Sequence, residues 1–242
     1  MKSEFTIVVP VFNEEDNIFR LEKELSNYIK IATKKTTVLF VNDGSTDESL
    51  ALIKIICERN KSFQHITFSS NKGLSTALMA GFDYVTSPLV GYIDADLQTT
   101  PKDFELLLTH SDHYELVMGE RINRQDSQLK KSASKIANFI RRLFTNDGVN
   151  DTGCPLKIFK TTNAKEMPFF KGYHRFFPAM IQLQNGKVKQ VPIHHFPRKA
   201  GTSKYGISKR LIGTPIDCFI YLWIKRKYMR IQVEESTSNN VL

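Results

Sequence analysis

The chain is predicted to be an α/β protein with a mainly parallel central sheet flanked by helices. Three observations predict this. Its first half alternates short apolar runs with longer segments whose apolar residues recur at helical spacing. Strands separated by helix-length segments form right-handed βαβ units and hence a parallel sheet. Polar clusters then follow three of the apolar runs, at Asn13-Glu14-Glu15, Asn42-Asp43-Gly44 and Asp94–Gln98. Parallel sheets bind ligands beyond the carboxyl ends of their strands, so three clusters on one edge predict a site.

The elements follow in order. Phe5–Val11 reads as a buried strand, and Ile18, Leu21, Leu25, Tyr28 and Ile29 mark the apolar face of a first helix. Thr37–Val41 is a second strand. Asn42-Asp43-Gly44 turns the chain, and Ser45 with Glu48 forms a capping box for a helix carrying Leu52, Ile53, Ile56 and Cys57. His65–Phe68 is a short third strand, Gly73–Val85 a helix and Leu89–Ile93 a fourth strand. Thr100-Pro101 opens another helix, with Pro at its first position. Tyr114–Met118 is a further strand. The second half is less regular, with a basic helix over Leu129–Phe144, strands at Gly153–Phe159 and Lys187–Ile193, a helix at Phe176–Leu183, and a polar basic loop from Arg198 to Gly206.

At 242 residues, 41% of them hydrophobic, the chain is long enough to bury a core without disulfides or structural metal. Cys57, Cys154 and Cys218 form no zinc or disulfide spacing, which favours a reducing compartment. The N-terminus lacks the pattern of a signal peptide, and no segment reaches the roughly 20 apolar residues that a spanning helix needs. The net charge of +9 suits a polyanionic partner: nucleic acid, anionic lipid or a phosphorylated substrate. The tail after Val233 has the composition of a disordered segment.

Asp94 and Asp96 stand at a strand end and face the same side if the strand continues that far. With Gln98 they offer hard oxygens suited to Mg²⁺ or Mn²⁺, the former usually shared with substrate phosphates. The competing reading is a solvated acidic loop. Asp43-Gly44 reads either as a simple turn or as an acceptor for a base or ribose. The position after the first strand holds Pro10-Val11-Phe12-Asn13-Glu14 instead of Gly-x-Gly-x-x-Gly, and no Gly-Lys-Ser/Thr loop occurs. A dinucleotide oxidoreductase or P-loop NTPase is therefore disfavoured.

Val9–Glu15, Val41–Asp47, Asn71-Lys72-Gly73, Asp94-Ala95-Asp96-Leu97-Gln98, Gly119-Glu120-Arg121 and Arg198–Gly206 occur in that order. In this series the chain resembles the family 2 glycosyltransferases of GT-A fold, and among them it is most similar to the dolichyl- or polyprenyl-phosphate hexosyltransferases, of the dolichol-phosphate mannose synthase type. The resemblance runs from about residue 5 to about residue 210. It implies a transferase domain over 1–207, followed by an amphipathic helical segment over 208–232 and a disordered tail over 233–242.

The resemblance also implies roles. Pro10, Phe12, Glu14 and Asp43 would line a nucleoside pocket that Lys72-Gly73 closes. Asp94 would sit by the ribose, metal or donor sugar, and Asp96 and Gln98 would ligate the metal. Arg121, Arg198 and Lys204 would face the phosphates, and Lys130 and Ser134, with Arg121, would hold an acceptor phosphate. Asp94, Asp96, Arg121 and Arg198 would be the catalytic set. The implied reaction is metal-dependent inverting transfer of a hexose from a GDP- or UDP-sugar to a polyprenyl phosphate. It would take place at the cytoplasmic membrane face, with peripheral membrane attachment and no nucleic acid.

Other readings stay open on the residues. The acceptor is alternatively a sugar hydroxyl in a cell-surface polysaccharide or lipopolysaccharide, which would need a carboxylate base. A non-catalytic binding module would dispense with Asp96. Asp151 is either a turn aspartate or an orienter of Arg and Lys side chains. His174 has a packing, gating or chemical role, and His194 and His195 read as a strand end rather than metal ligands. Leu211–Ile224, flanked by Lys209, Arg210 and Lys225–Lys227, is either a core-packing helix or an interfacial one. Phe139, Ile140, Leu143 and Phe144 interleave with the basic residues of the Leu129–Phe144 helix, which favours a membrane- or acceptor-facing role over a purely solvated face. Oligomeric state is unspecified.

Overall fold

A computed structural model describes residues 3–122, 128–197 and 207–229; within its helices the side chains of 128–131, 133, 207–212 and 214 are not described. The order is β1 (Phe5–Val11), α1 (Glu15–Ile29), β2 (Thr36–Asn42), α2 (Ser49–Arg59), β3 (Phe63–Thr67), α3 (Leu74–Tyr84), β4 (Leu89–Tyr92), α4 (Phe104–Leu108), β5 (Leu116–Ile122), α5 (Gln128–Thr145), β6 (Lys157–Lys160), α6 (Thr161–Lys165), α7 (Phe177–Leu183), β7 (Val188–His194) and α8 (Ile207–Lys227). Seven strands form one sheet in the order β3-β2-β1-β4-β6-β5-β7. All pairings are parallel except those of β6, which runs antiparallel to both β4 and β5.

Side chains alternate across the strands and fill a core on each face. Ile7, Val9, Val38 and Phe40 pack with α1, α2 and α4. Val8, Leu39, Val41 and Phe159 pack with α3, α7 and the buried side of α8.

Several expected boundaries move. The Ser45–Glu48 capping box does not form: α2 starts at Ser49, whose N–H is capped by Asp47 Oδ1 at 3.0 Å. The Ser45 hydroxyl accepts from Asn13 N at 3.0 Å instead, a long-range bond that takes it from the helix. The strand expected over Gly153–Phe159 begins only at Lys157, because the residues before it form a loop. β5 runs on to Ile122 and so includes Arg121. Pro101 opens a short 3-10 turn over Pro101–Asp103, with Thr100 as its cap, before α4 begins.

α5 and α8 pack against each other, with Phe144 and Phe219 edge to face at 5.5 Å. α5 is fixed by Arg141, which is 1% exposed, bonds Asp147, and donates to Val149 O at 2.8 Å. Removing one member of such a buried pair strands the other charge. Arg141→Leu is expected to lower the unfolding free energy by about 3–5 kcal/mol in urea titration, and Arg141→Leu with Asp147→Leu to recover much of that loss.

Candidate active site

Register brings the ends of several strands to one rim. Val11 pairs with Asn42 and Asn42 with Thr67, so the loops after β1, β2 and β3 leave at the same level. β4, β5 and β7 end on this edge too, with Asp94, Arg121 and His194 at their termini. Because β6 is reversed, the segment that enters it, Asp151–Leu156, arrives at the same rim.

The loops after β1 and β2 are laced together. Asn13, in the left-handed conformation at φ 51°, accepts from Thr46 N at 2.8 Å. Glu14 N donates to Ser49 Oγ at 2.9 Å, and Glu48 N donates to Glu15 Oε2 at 2.9 Å. Pro10, one residue before the end of β1, lies beside Val41, with half-buried Phe12 and Glu14 next along the edge. Glu14 Oε2 accepts from Asn17 Nδ2 at 2.7 Å.

Asp43 is buried and binds the next loop. Its Oδ1 accepts from Lys72 N at 2.7 Å; its Oδ2 accepts from Gly73 N and Asn71 Nδ2, both at 2.9 Å. Gly44, at φ 66°, lets this loop lie against it, since a Cβ there would run into the Ser70 backbone. Asp43 thus holds the Lys72-Gly73 loop against the end of β2. The Lys72 side chain is exposed.

The Asp94–Gln98 stretch differs from the expected extended pair. β4 ends at Tyr92, and the chain turns at Ala95-Asp96, with Leu97 at φ 51°. Strand alternation therefore does not set the two carboxylates. Half-buried Asp94 accepts from the Tyr92 hydroxyl at 2.6 Å, and buried Asp96 accepts from Gln98 N at 3.2 Å. Arg20 of α1 reaches the Asp96 and Leu97 carbonyls, each at 3.5 Å. A leucine held at positive φ is the kind of strain that clusters at functional sites.

Gln98 is tied to the end of β7: its carbonyl accepts from Phe196 N at 2.8 Å and its side-chain amide reaches Phe196 O at 3.5 Å. This ties the segment that follows β7, with buried His195 in it, to the turn. Among the described residues no three His, Cys, Asp or Glu side chains form a metal cluster. A cation at Asp96 and Gln98 would have to complete its shell with substrate oxygens, as Mg²⁺ commonly does.

Across the rim, Arg121 forms a two-point pair with Asp151: Nε donates to Oδ2 at 2.7 Å and a terminal nitrogen to Oδ1 at 2.8 Å. Asp151 is thus the orienter of an arginine and, through Gly153 N at 3.1 Å, also a turn aspartate. Beside them lies a cavity of about 470 Å³ lined by Arg121, Lys135, Asn138, Phe139, Arg142 and Asp151 among others. Ser134 lies on α5 one turn before Asn138, which meets Thr152 at 3.2 Å. Arg198 and Lys204 lie outside the described residues, as does the side chain of Lys130.

His174 Nδ1 meets the Ser75 hydroxyl at 2.8 Å, and the same oxygen accepts from Gly172 N at 2.9 Å, which gives His174 a packing role at the start of α3. Burial pushes the Cys154 thiol up to about 11 against the pull of Lys157, so it is a neutral sulfur near pH 7 and no nucleophile. A second hollow of about 680 Å³ opens at the opposite end of the sheet, where Glu4 and Asp112 mix with Lys34, Lys160 and Lys165. None of the motif residues reaches it.

The sequence model described as glycosyl transferase family 2 matches residues 6–167. Undecaprenyl-phosphate 4-deoxy-4-formamido-L-arabinose transferases of Salmonella choleraesuis (strain SC-B67) and Salmonella typhimurium (strain LT2) are 32% identical to the chain over 214 residues, 88% of its length. The chain spans 65% of the length of those relatives. Mannosyl-3-phosphoglycerate synthase from Rubrobacter xylanophilus shares the fold with a TM-score of 0.73 at 14% identity, over 96% of this chain and 78% of that one. Glucosyl-3-phosphoglycerate synthase from Mycobacterium tuberculosis, solved with Mn²⁺, UDP-glucose and glycerol 3-phosphate, has a TM-score of 0.68 at 15% identity, over 89% and 80%. The fold is that of the GT-A glycosyltransferases, as expected from the motifs, and the chain belongs to glycosyl transferase family 2.

Proposed function

We propose that the protein transfers a hexose, with inversion, from a nucleotide-diphosphate sugar to a polyprenyl phosphate at a membrane surface. The observation that carries this reading is the Arg121–Asp151 pair, set in a cavity with Lys135 and Arg142 on the same rim as the Asp94–Gln98 turn. One side of the rim is rich in carboxylates and suits a metal-bridged diphosphate. The other is rich in cations and suits a second anion.

In this reading Pro10, Phe12, Glu14 and the Asp43-held Lys72-Gly73 loop bind the nucleoside. Asp94 faces the donor sugar. Asp96 and Gln98 would hold Mg²⁺ or Mn²⁺, which would neutralise charge on the departing diphosphate. Their oxygens are of the hard kind that suits such an ion. Arg121, with Ser134 and Lys130, and with Arg198 and Lys204 toward the diphosphate, positions the acceptor phosphate.

One oxygen of that phosphate attacks the anomeric carbon as the bond to the diphosphate oxygen breaks on the opposite face. A phosphomonoester with a second pKa of about 6 is already largely ionised near neutrality, so no strong base is needed. What the site must supply is alignment of two like-charged groups, and Asp151 gives Arg121 a fixed fork for that purpose. The Salmonella relatives are named for transfer to undecaprenyl phosphate, which supports this acceptor class.

Membrane attachment has its own support. α5 presents Ile136, Phe139 and Leu143, and α8 presents Ile216, Phe219 and Trp223, each 51–68% exposed. Exposed Lys135 and Arg142 on α5 and Lys225–Lys227 on α8 accompany them. The opposite side of α8 packs inward, with Tyr221 stacked on Phe176 at 5.6 Å, so the helix is both core-packing and outward-facing. An apolar stripe edged by cations fits an anionic lipid surface. Among the described residues no helix is long and apolar enough to cross a membrane.

Incubation with a panel of UDP- and GDP-hexoses, Mn²⁺ or Mg²⁺ and undecaprenyl phosphate should yield a labelled lipid product. EDTA should abolish it, and Asp96→Asn should cut kcat by about 100-fold or more. Absence of product with every donor, from folded protein that binds nucleotide, would refute the reading. Equal transfer to a dephosphorylated polyprenol would move it toward a hydroxyl acceptor.

Trp223 is the single tryptophan. Its emission should shift to the blue on vesicles containing anionic phospholipid, and Phe139→Ser or Leu143→Ser should each weaken binding about tenfold. An unshifted spectrum would count against the lipid-facing role.

A further inference from the structure

Lys157 is 2% exposed in the middle of the sheet, between β4 and β5. A buried ammonium is costly, and an apolar side chain of the same length would avoid that cost. Its surroundings are specific. Nζ donates to the carbonyls of Cys154 and of Thr152, the latter at 3.2 Å. The ammonium lies 5.5 Å from the centre of the Tyr92 ring and 5.9 Å from that of Phe177.

These contacts extend to both halves of the rim. Tyr92 is the direct cross-strand partner of Lys157, and its hydroxyl donates to Asp94 at 2.6 Å. Thr152 and Cys154 belong to the loop that starts at Asp151, whose carboxylate grips Arg121. Gly153 in the same loop faces the Arg121 guanidinium so closely that a Cβ there would crowd it. Burial pushes the Lys157 pKa down; Cys154, Asp151 and Asp94 pull it back up, and Arg121 adds to the push. The ammonium therefore senses both the carboxylate assigned to the donor and the ion pair assigned to the acceptor.

We propose that Lys157 is a positioning residue for the transfer reaction. Its buried ammonium fixes the 152–154 loop, and with it the Asp151–Arg121 fork, while through Tyr92 it holds Asp94, so that one charge sets the separation of the donor and acceptor halves. The inference rests on the transferase reading of the rim. Lys157 touches no reacting atom; it acts by alignment, and a misplacement of about 1 Å at such a site costs about 100-fold in rate.

The test uses Lys157→Met in the full chain, with circular dichroism and thermal melting to establish folding. The Arg121 Nε–H signal, assigned by its loss in Arg121→Lys, is followed by ¹⁵N NMR. Lys157→Met is expected to speed exchange of that proton at least about tenfold and to lower kcat about 100-fold. Wild-type exchange in a folded Lys157→Met protein overturns the proposal, whatever happens to kcat. The exchange measurement needs neither donor nor lipid, so a wild-type protein that fails to transfer hexose sinks the functional reading and leaves this test intact.

If Lys157→Met does not fold, Tyr92→Phe and Asp151→Asn cut the two arms separately. Rate losses that depart from a simple product by more than about threefold support coupling through Lys157, and independent losses overturn it.

Discussion

The reversal of β6 is the constraint on which the site depends, because a wholly parallel sheet would deliver to its carboxyl rim only the loops that leave strands. A reversed strand delivers a segment that enters one. Asp151–Leu156 therefore lies between the ends of β4 and β5, where Asp151 meets Arg121 across a strand boundary. The register of β6 against both neighbours is fixed, with Lys157 opposite Tyr92 on one side and Met118 on the other. A slip of one residue would exchange the two faces of β6 and turn Lys157 away from the ring it caps.

Charge along the rim is ordered by this arrangement. Asp43, Asp94 and Asp96 stand toward the β2–β4 side, and Arg121, Lys135 and Arg142 toward β5 and α5. Each carboxylate already has donors: Asp43 takes three from the 71–73 loop, Asp94 takes the Tyr92 hydroxyl, and Asp96 takes Gln98 N. Such bonds hold acidic groups in place before any cation arrives, which is what preorganisation means physically. Arg121 is held in the same way, so the proposed acceptor anion meets an oriented fork and not a mobile side chain.

Much of the fold was legible in the sequence, because buried parallel strands and amphipathic helices leave strong periodic signals. β1, β2, α1, α3 and α5 lie close to their expected limits. The motif clusters also reach one edge as anticipated. What stayed hidden depends on contacts far along the chain. Ser45 was a sound helix cap by local pattern, but Asn13, 32 residues earlier, takes its hydroxyl. Strand alternation puts Asp94 and Asp96 on one face only if the strand runs that far, and β4 ends at Tyr92. The segment after β7 is tied to the Asp94–Gln98 turn because Phe196 bonds Gln98, 98 residues earlier. Lys157 did leave a signal: a lysine inside Leu156–Phe159, in a central strand with both faces covered, marks a charge that needs partners.

The two helices that carry the exposed apolar stripe are joined to the rim by side-chain contacts. α5 follows β5 and leans on the Asp151 loop through Asn138 and Thr152. In α8, Asp217 accepts from Arg175 at 2.6 Å and lies against Gly172, which sits at φ 100° where a Cβ would strike that carboxylate. Gly172 and His174 in turn meet Ser75, two residues after the Gly73 amide that Asp43 holds. These contacts join the stripe and the nucleoside side of the rim into one packed body among the described residues. Such a body orients rather than switches: docking the stripe on a lipid surface would set the height and tilt of the rim over it. In the proposed reaction a phosphate anchored at that surface would then be presented to Arg121 along a fixed direction, which removes much of the orientational entropy of the encounter.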